Sequence, residues 1–284
     1  LPFGGSLILM RLLCGKFTLD LGRPLIMGVV NVTPDSFSDG GRFNSAETAI
    51  AQVRRLVNEG ADIIDIGGES TRPGAADVGL DEERRRVLPV IERLADLNVP
   101  VSIDTRKPEL MREAVLAGAS MINDVDALQS ADALAAAAVS NVAVCLMHKR
   151  GAPATMQNDP SYDDVVADIA AFLADRVGVV QAAGIAAERI VVDPGFGFGK
   201  TLAHNLQLLK RLRETAPAEV ALLAGISRKS MLGQITGRDA AERVYASVAA
   251  ALIAVQNGAH IVRVHDVAAT RDALAVWRAV SAAG

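Results

Sequence analysis

The hydrophobic and polar positions of this chain alternate in blocks. Short runs rich in β-branched residues each end in a polar or charged residue, then give way to a longer stretch with the apolar spacing of a helix. Eight such runs finish at Asn31, Asp65 with Gly67, Asp104, Asn123 with Asp124, Met147 with His148, Asp193, Ser227, and Arg263 with His265. Apolar runs of this length alternating with amphipathic segments are the mark of βα units and a parallel sheet. The repetition predicts an α/β fold, a single (β/α)8 TIM barrel, whose chemistry gathers at the C-terminal ends of its strands.

Strands are predicted over residues 24–31, 62–67, 100–104, 121–124, 141–147, 189–193, 219–225 and 261–264. Helices are expected at 46–59, 81–96, 108–117, 163–183, 204–215, 240–257 and 267–282, with an Ala-rich one after Asp124. Three phrases, Gly60-Ala-Asp-Ile-Ile64, Gly118-Ala-Ser-Met-Ile122 and Gly258-Ala-His-Ile-Val262, echo one turn in which Gly ends a helix and a strand begins. Residues 12–21 read as a hairpin closing the bottom of the barrel. The barrel domain spans 12–282, and 1–11 form a lead-in.

Half of the 284 residues are hydrophobic, enough for one large core, and no Pro/Ser/Gly linker divides them. The net charge of −4 leaves no global basic field for nucleic acid, so an anion must be held locally. The apolar run 7–13 is short and broken by Arg11, which excludes a membrane span there and makes a poor signal peptide. Cys14 and Cys145 have no metal-ligand or disulfide spacing, and a reducing cytoplasmic setting is the expectation.

The strand ends carry the candidate chemistry. Asp65, Asp104 and Asp193, joined by Asn31 and Asn123, converge on one barrel mouth. Each acid alone has an equally good reading as a helix cap. As a set they suit a neutral heterocycle with a guanidine-like edge, such as a pterin or guanine, which a carboxylate reads through two parallel hydrogen bonds. Arg72, Arg228, Lys229, Arg263 and His265 form an opposing cationic group, read as an anion cradle. Lys229 as a Schiff-base nucleophile would need desolvation, and its polar neighbours argue against that. The segment Asp193-Pro-Gly-Phe-Gly-Phe-Gly-Lys-Thr201 fails the phosphate-loop spacing; its glycines suit close passage beside a flat ligand, and Lys200 and Thr201 lead into a helix start that gives anion binding only weak support. Asn31, Asp35 and Asp39 are oxygen ligands fit for Mg²⁺, or alternatively turn residues.

Seven motifs in order closely resemble dihydropteroate synthases. They are the segments 31–41, 65–74 and 102–105, Ile122-Asn-Asp124, the segment 193–200, Ser227-Arg-Lys-Ser230 and Arg263-Val-His265. The resemblance implies condensation of 6-hydroxymethyl-7,8-dihydropterin diphosphate with 4-aminobenzoate, giving dihydropteroate and diphosphate. It implies that Asp104, Asn123, Asp193 and Lys229 hold the pterin, with Met147 and Phe198 in the same substrate pocket. Thr71, Arg72, Arg263 and His265 would hold the diphosphate, and Asn31 the Mg²⁺. Phe37, Pro73 and Ser230 would shape the aminobenzoate site, where sulfonamides would compete. Asp104, Lys229, Arg263 and His265 are the implied catalytic set, and family members are usually homodimers; the Ala-rich stretch 240–255 reads equally as an apolar interface or as packing against the barrel. The chain departs from the family pattern at Lys149-Arg150, which adds positive charge to the fifth loop. Two other classes stay open: a folate-dependent methyltransferase acting on a corrinoid protein, which needs no diphosphate cradle, and a pterin-binding paralogue without turnover.

Overall fold

The computed structural model describes residues 10–33, 42–69, 78–151, 156 and 160–283, with backbone alone for 42–45. Two short strands, β1 (Arg11–Cys14) and β2 (Phe17–Asp20), pair antiparallel. The strands that follow are β3 (Leu25–Asn31), β4 (Ile63–Gly67), β5 (Val101–Asp104), β6 (Met121–Asp124), β7 (Ala143–Met147), β8 (Ile190–Asp193), β9 (Ala221–Ala224) and β10 (Ile261–Val264). They pair in parallel, each with the next, and β10 closes onto β3 to complete the barrel. The eightfold reading of the sequence therefore holds, as does the hairpin, which begins at Arg11.

Around the barrel run α1 (Arg42–Asn58), α2 (Leu80–Glu92), α3 (Pro108–Ala117), α4 (Ala131–Ala138), α5 (Val165–Ala182), α6 (Leu202–Lys210), α7 (Ser230–Thr236), α8 (Val244–Gln256) and α9 (Val267–Ala282). Several boundaries differ from expectation for local reasons. Helix α6 starts at Leu202 because the Thr201 hydroxyl accepts from the His204 amide while the His204 ring accepts from the Thr201 amide, a reciprocal cap. The 204–215 segment then breaks into a 3₁₀ turn at Leu212–Thr215. The α-helix of segment 81–96 ends at Glu92, and 240–257 opens with a 3₁₀ turn before α8 begins. The seven-residue α7 was absent from the sequence reading. At the three echoed turns Gly60, Gly118 and Gly258 take φ of +99°, +118° and +103°, which an L side chain rarely adopts.

Strand pleating sorts side chains with a period of two. One set faces the helices: Ile26, Val30, Ile64, Ile66, Val101, Ile103, Ile122, Val144, Leu146, Val192, Leu222 and Val262 pack into the outer core. The alternate set faces the barrel axis. Leu25, Met27, Ile63, Met121, Ala143, Cys145, Val191, Ala221, Leu223 and Ile261 fill it, and Leu12, Cys14 and Leu21 plug the bottom from the hairpin. Both cysteines are free and buried, and burial pushes the Cys14 thiol up to about 12. No helix among the described residues is long and apolar enough to cross a membrane.

Candidate active site at the barrel mouth

The axis-facing positions nearest the strand C-termini break the apolar rule. Asp65 on β4, Asp104 on β5, Asn123 on β6, Asp193 on β8 and Arg263 on β10 follow inward positions occupied by apolar or small side chains on their own strands. Arg263 joins the opposite wall: its Nε donates to Asp65 Oδ2 at 2.6 Å and its Nη2 to Asp104 Oδ2 at 2.8 Å. Asn123 Nδ2 donates to the same Asp65 oxygen at 3.1 Å. The remaining oxygens, Asp65 Oδ1 and Asp104 Oδ1, are buried without a hydrogen-bond partner among the described residues. Buried acceptors are normally satisfied, so an unpaired one beside a cavity mouth marks a place for a ligand donor.

Burial dominates the protonation of this group. It pushes the Asp104 carboxyl up to about 7 against the pull of Arg263, with repulsion from Asp65, Glu83 and Asp124 adding to the rise. Asp193 is raised by the same cause, opposed by Lys229 and by the Gly195 amide, which donates to its Oδ1 at 2.7 Å. Lys229, immediately before α7, is half-buried; its ammonium donates to Phe196 O at 2.5 Å and lies 4.7 Å from the centre of the Phe198 ring. Desolvation brings it down to about 8, with Asp193 opposing. This corrects the expectation of a fully polar setting for that amine. A Cβ at Gly225 would meet Asp193 Oδ2 at 3.7 Å and the Arg263 Cβ at 3.8 Å, ordinary van der Waals distances on the same wall.

Two sequence expectations fail. Arg228 is not part of a cradle, because its guanidinium pairs with Asp266 at 2.5 and 3.1 Å. Its backbone sits at φ +59°, held by an N–H donated to Ser247 Oγ and a carbonyl that accepts from Arg243. That turn instead aims Lys229 at the mouth and brings Ser227 Oγ to 3.0 Å from His265 Nδ1. Lys200 does not await an anion either. Its buried ammonium donates to Gly195 O and Phe198 O at 2.8 and 3.0 Å and meets His148 Nδ1 at 3.0 Å. Desolvation lowers Lys200 to about 7 and His148 to about 3, so His148 presents a neutral acceptor. Lys200 is a cross-brace for the glycine loop, packed so tightly that a Cβ on Gly195 would lie 1.9 Å from His148 O.

Met147 is buried beside Gly195, and Asn31 is half-buried across Gly67 from Asp104. Ser230, the first residue of α7, is exposed beside a 260 Å³ cavity with Lys200, Thr201, Asn205, Met231 and Gln234. Phe37, Thr71, Arg72 and Pro73, with Asp35 and Asp39, lie outside the described residues. The added charges of the fifth loop are taken up locally. Lys149 pairs with Asp126, while Arg150 lies over the Tyr162 ring at 4.7 Å and donates to Ser161 O.

Comparison with known proteins bears on this mouth. The family described as "Pterin binding enzyme" matches residues 27–265. Dihydropteroate synthase of Escherichia coli K12 is 49% identical over 96% of this chain and 98% of its own length. Among solved structures, the Xanthomonas albilineans dihydropteroate synthase with 4-aminobenzoic acid superposes with a TM-score of 0.92 at 54% identity, covering 97% of this chain and 99% of that one. The Burkholderia cenocepacia dihydropteroate synthase complexed with 7,8-dihydropteroate gives 0.89 at 53%, covering 96% and 97%. A Yersinia pestis dihydropteroate synthase in a sulfonamide drug complex gives 0.91 at 50%, covering 96% and 100%. With the family model matched over residues 27–265 and relatives about half identical along nearly their whole length, this chain belongs to the dihydropteroate synthase family of pterin-binding enzymes.

Proposed function

We propose that this protein condenses 6-hydroxymethyl-7,8-dihydropterin diphosphate with 4-aminobenzoate to give 7,8-dihydropteroate and diphosphate. The observation that carries the reading is the mouth itself: buried acceptor oxygens of Asp104 and Asp65 that have no partner among the described residues, ringed by Asn123, Asp193, Lys229 and Arg263. An N–H-rich pterin edge supplies donors to such acceptors. Relatives crystallised with 4-aminobenzoic acid, with 7,8-dihydropteroate and with a sulfonamide drug support the same substrate class and inhibitor.

In this reading the pterin lies across the mouth, read by Asp104, Asn123 and Asp193, with Lys229, Met147 and Phe198 beside it. The carbon–oxygen bond to the diphosphate breaks with its electron pair leaving on oxygen. Arg263 and His265, with Thr71 and Arg72, stabilise the growing negative charge. Asp104 and Asp193, as anions, offset the positive charge that develops on the pterin methylene. The aryl amine then forms the carbon–nitrogen bond and loses one proton. Phe37, Pro73 and Ser230 border the aminobenzoate. The Asn31 amide oxygen, half-buried at the end of β3, fits a hard cation that keeps most of its other ligands from water and phosphate. Mg²⁺ held by Asn31 and the diphosphate would neutralise charge on the leaving group.

A cytoplasmic homodimer completes the proposal. On α8, Ala250, Ala251 and Ala254 face the barrel while Tyr245 and Ile253 stay exposed. Val276 and Val280 are exposed on α9, which packs beside α8, and with Tyr245 and Ile253 they are the apolar side chains we offer to a second copy. The function is tested by diphosphate release from the dihydropterin diphosphate with Mg²⁺, with and without 4-aminobenzoate. Amine-dependent formation of dihydropteroate is expected. Tight binding of the dihydropterin diphosphate with no product would overturn the synthase reading.

A further inference from the structure

Asp65 is fully buried on β4; its Oδ1 is the acceptor offered to the ligand in the reading above, which leaves its Oδ2 without a task there. It nevertheless joins the two walls of the mouth. One oxygen, Oδ2, accepts from Arg263 Nε on β10 at 2.6 Å and from Asn123 Nδ2 on β6 at 3.1 Å. Those partners lie 198 and 58 residues away, so barrel closure alone brings them together.

The chemistry of the three groups fixes their orientation. A guanidinium nitrogen only donates and a carboxylate oxygen only accepts, whereas a side-chain amide can present either end. With Asp65 beside it, Asn123 must turn its NH₂ inward, which leaves the amide oxygen for the mouth. Arg263 is fixed in the same way: Nε is held by Asp65 and one Nη2 bond by Asp104, so its Nη1 hydrogens are not engaged by either carboxylate. We propose that Asp65 is a positioning residue that sets the amide polarity of Asn123 and the pose of Arg263, so that the mouth offers an acceptor to the heterocycle and free donors to its leaving group. The inference rests on the pterin reading above.

Asp65→Leu keeps about the same volume but removes the oxygen that Arg263 Nε and Asn123 Nδ2 share, so Asn123 is released to turn over and a donor meets the N–H edge of the ligand. Pterin, followed by its own fluorescence, should bind this variant about 10- to 100-fold more weakly, the size expected of a mispaired buried polar group. Asp65→Asn should hold affinity to within about fivefold, because Arg263 Nε only donates and so fixes the new amide oxygen at the shared position, where it still accepts from Asn123 Nδ2; side-chain volume alone would not separate this variant from Asp65→Leu. In the unsubstituted protein the Asn123 NH₂ signals, observed by nitrogen-15 NMR, should exchange slowly and stay in place when pterin is added. Unchanged binding by Asp65→Leu, an equal loss in Asp65→Asn while its melting temperature is unchanged, or direct engagement of the Asn123 NH₂ by pterin would each overturn the inference. An unsubstituted protein that binds no pterin would overturn the substrate reading and this inference together.

Discussion

Ile63 and Asp65 sit on the same face of β4, one pleat apart, and both are fully buried. The first packs among Leu12, Met27, Met121 and Ile261 at the closed end of the barrel. The second belongs to a polar cluster at the open end, tied to two other strands. The same step from apolar to polar recurs from Met121 to Asn123, Val191 to Asp193 and Ile261 to Arg263. The closed end gains stability from removing apolar surface from water at about 25 cal/mol per Å². The open end gathers charges whose desolvation is offset only by accurate pairing, and breaking such a pair costs more than the pair contributes. Stability and chemistry thus share each strand but not the same residues.

Breaking the open end has the largest expected effect. Arg263→Ala leaves Asp65 and Asp104 facing each other and strips the leaving group of a donor. The rate of diphosphate release should fall by about 10²–10³, the usual loss for one such donor. Unfolding stability should drop by about 3–5 kcal/mol from the orphaned buried charges, read from denaturant curves. Breaking the closed end should do the reverse. Leu12→Ala, at a site 1% exposed, should cost about 2–5 kcal/mol of stability while kcat/KM per folded molecule stays unchanged. A comparable loss of turnover would mean that the two ends are mechanically coupled.

A pH series sharpens the contrast, because the perturbed acids lie at the open end or beside it. With Asp104 required as the anion and Lys229 as the cation, kcat/KM should rise through about pH 7 and fall above about pH 8. Lys229→Arg should remove the alkaline fall, though at lower rate. Stability carries the same signature with the opposite sense. Asp104 holds a proton in the folded chain that the unfolded chain releases near pH 4. Its favourable contribution is therefore complete below about pH 4 and lost as pH rises towards about 7. Asp104→Asn should flatten that loss, measured as the denaturant midpoint between pH 5 and 8.

The smallest effect belongs to the polar group below the barrel. Arg23 and Asp62 form a two-pronged pair at 2.5 and 3.1 Å, but the arginine side chain is 39% exposed. Arg23→Met should change stability by no more than about 1 kcal/mol, weakened further by salt, with activity untouched. A larger change would show that charge matters at the closed end as well.

Much of this was legible along the chain. The strand ends fall where period and turn residues place them, since burial on both faces of a parallel strand demands a continuous apolar run that polar residues terminate. The convergence of Asp65, Asp104, Asn123 and Asp193 followed from the fold class alone. The helix α7 was missed because seven residues behind a strained turn give too little periodicity to read. Arg228 and Lys200 were misread for a different reason. A basic residue near a loop looks alike in sequence whether it meets a ligand, pairs with Asp266 or lies buried among carbonyl groups.

What the sequence determined by itself was therefore the barrel, the end at which chemistry collects, and the types of group gathered there, because hydrophobic period and local turn preference are properties of neighbours in the chain. What only the tertiary structure decided was partnership: Arg263 between Asp65 and Asp104, Arg228 with Asp266, Lys200 against His148, and the NH₂ of Asn123 turned to Asp65. Hydrogen bonds and ion pairs are fixed by distance and direction at the ångström scale. Those distances exist only after β10 has closed against β3 and brought together residues as far as 198 positions apart.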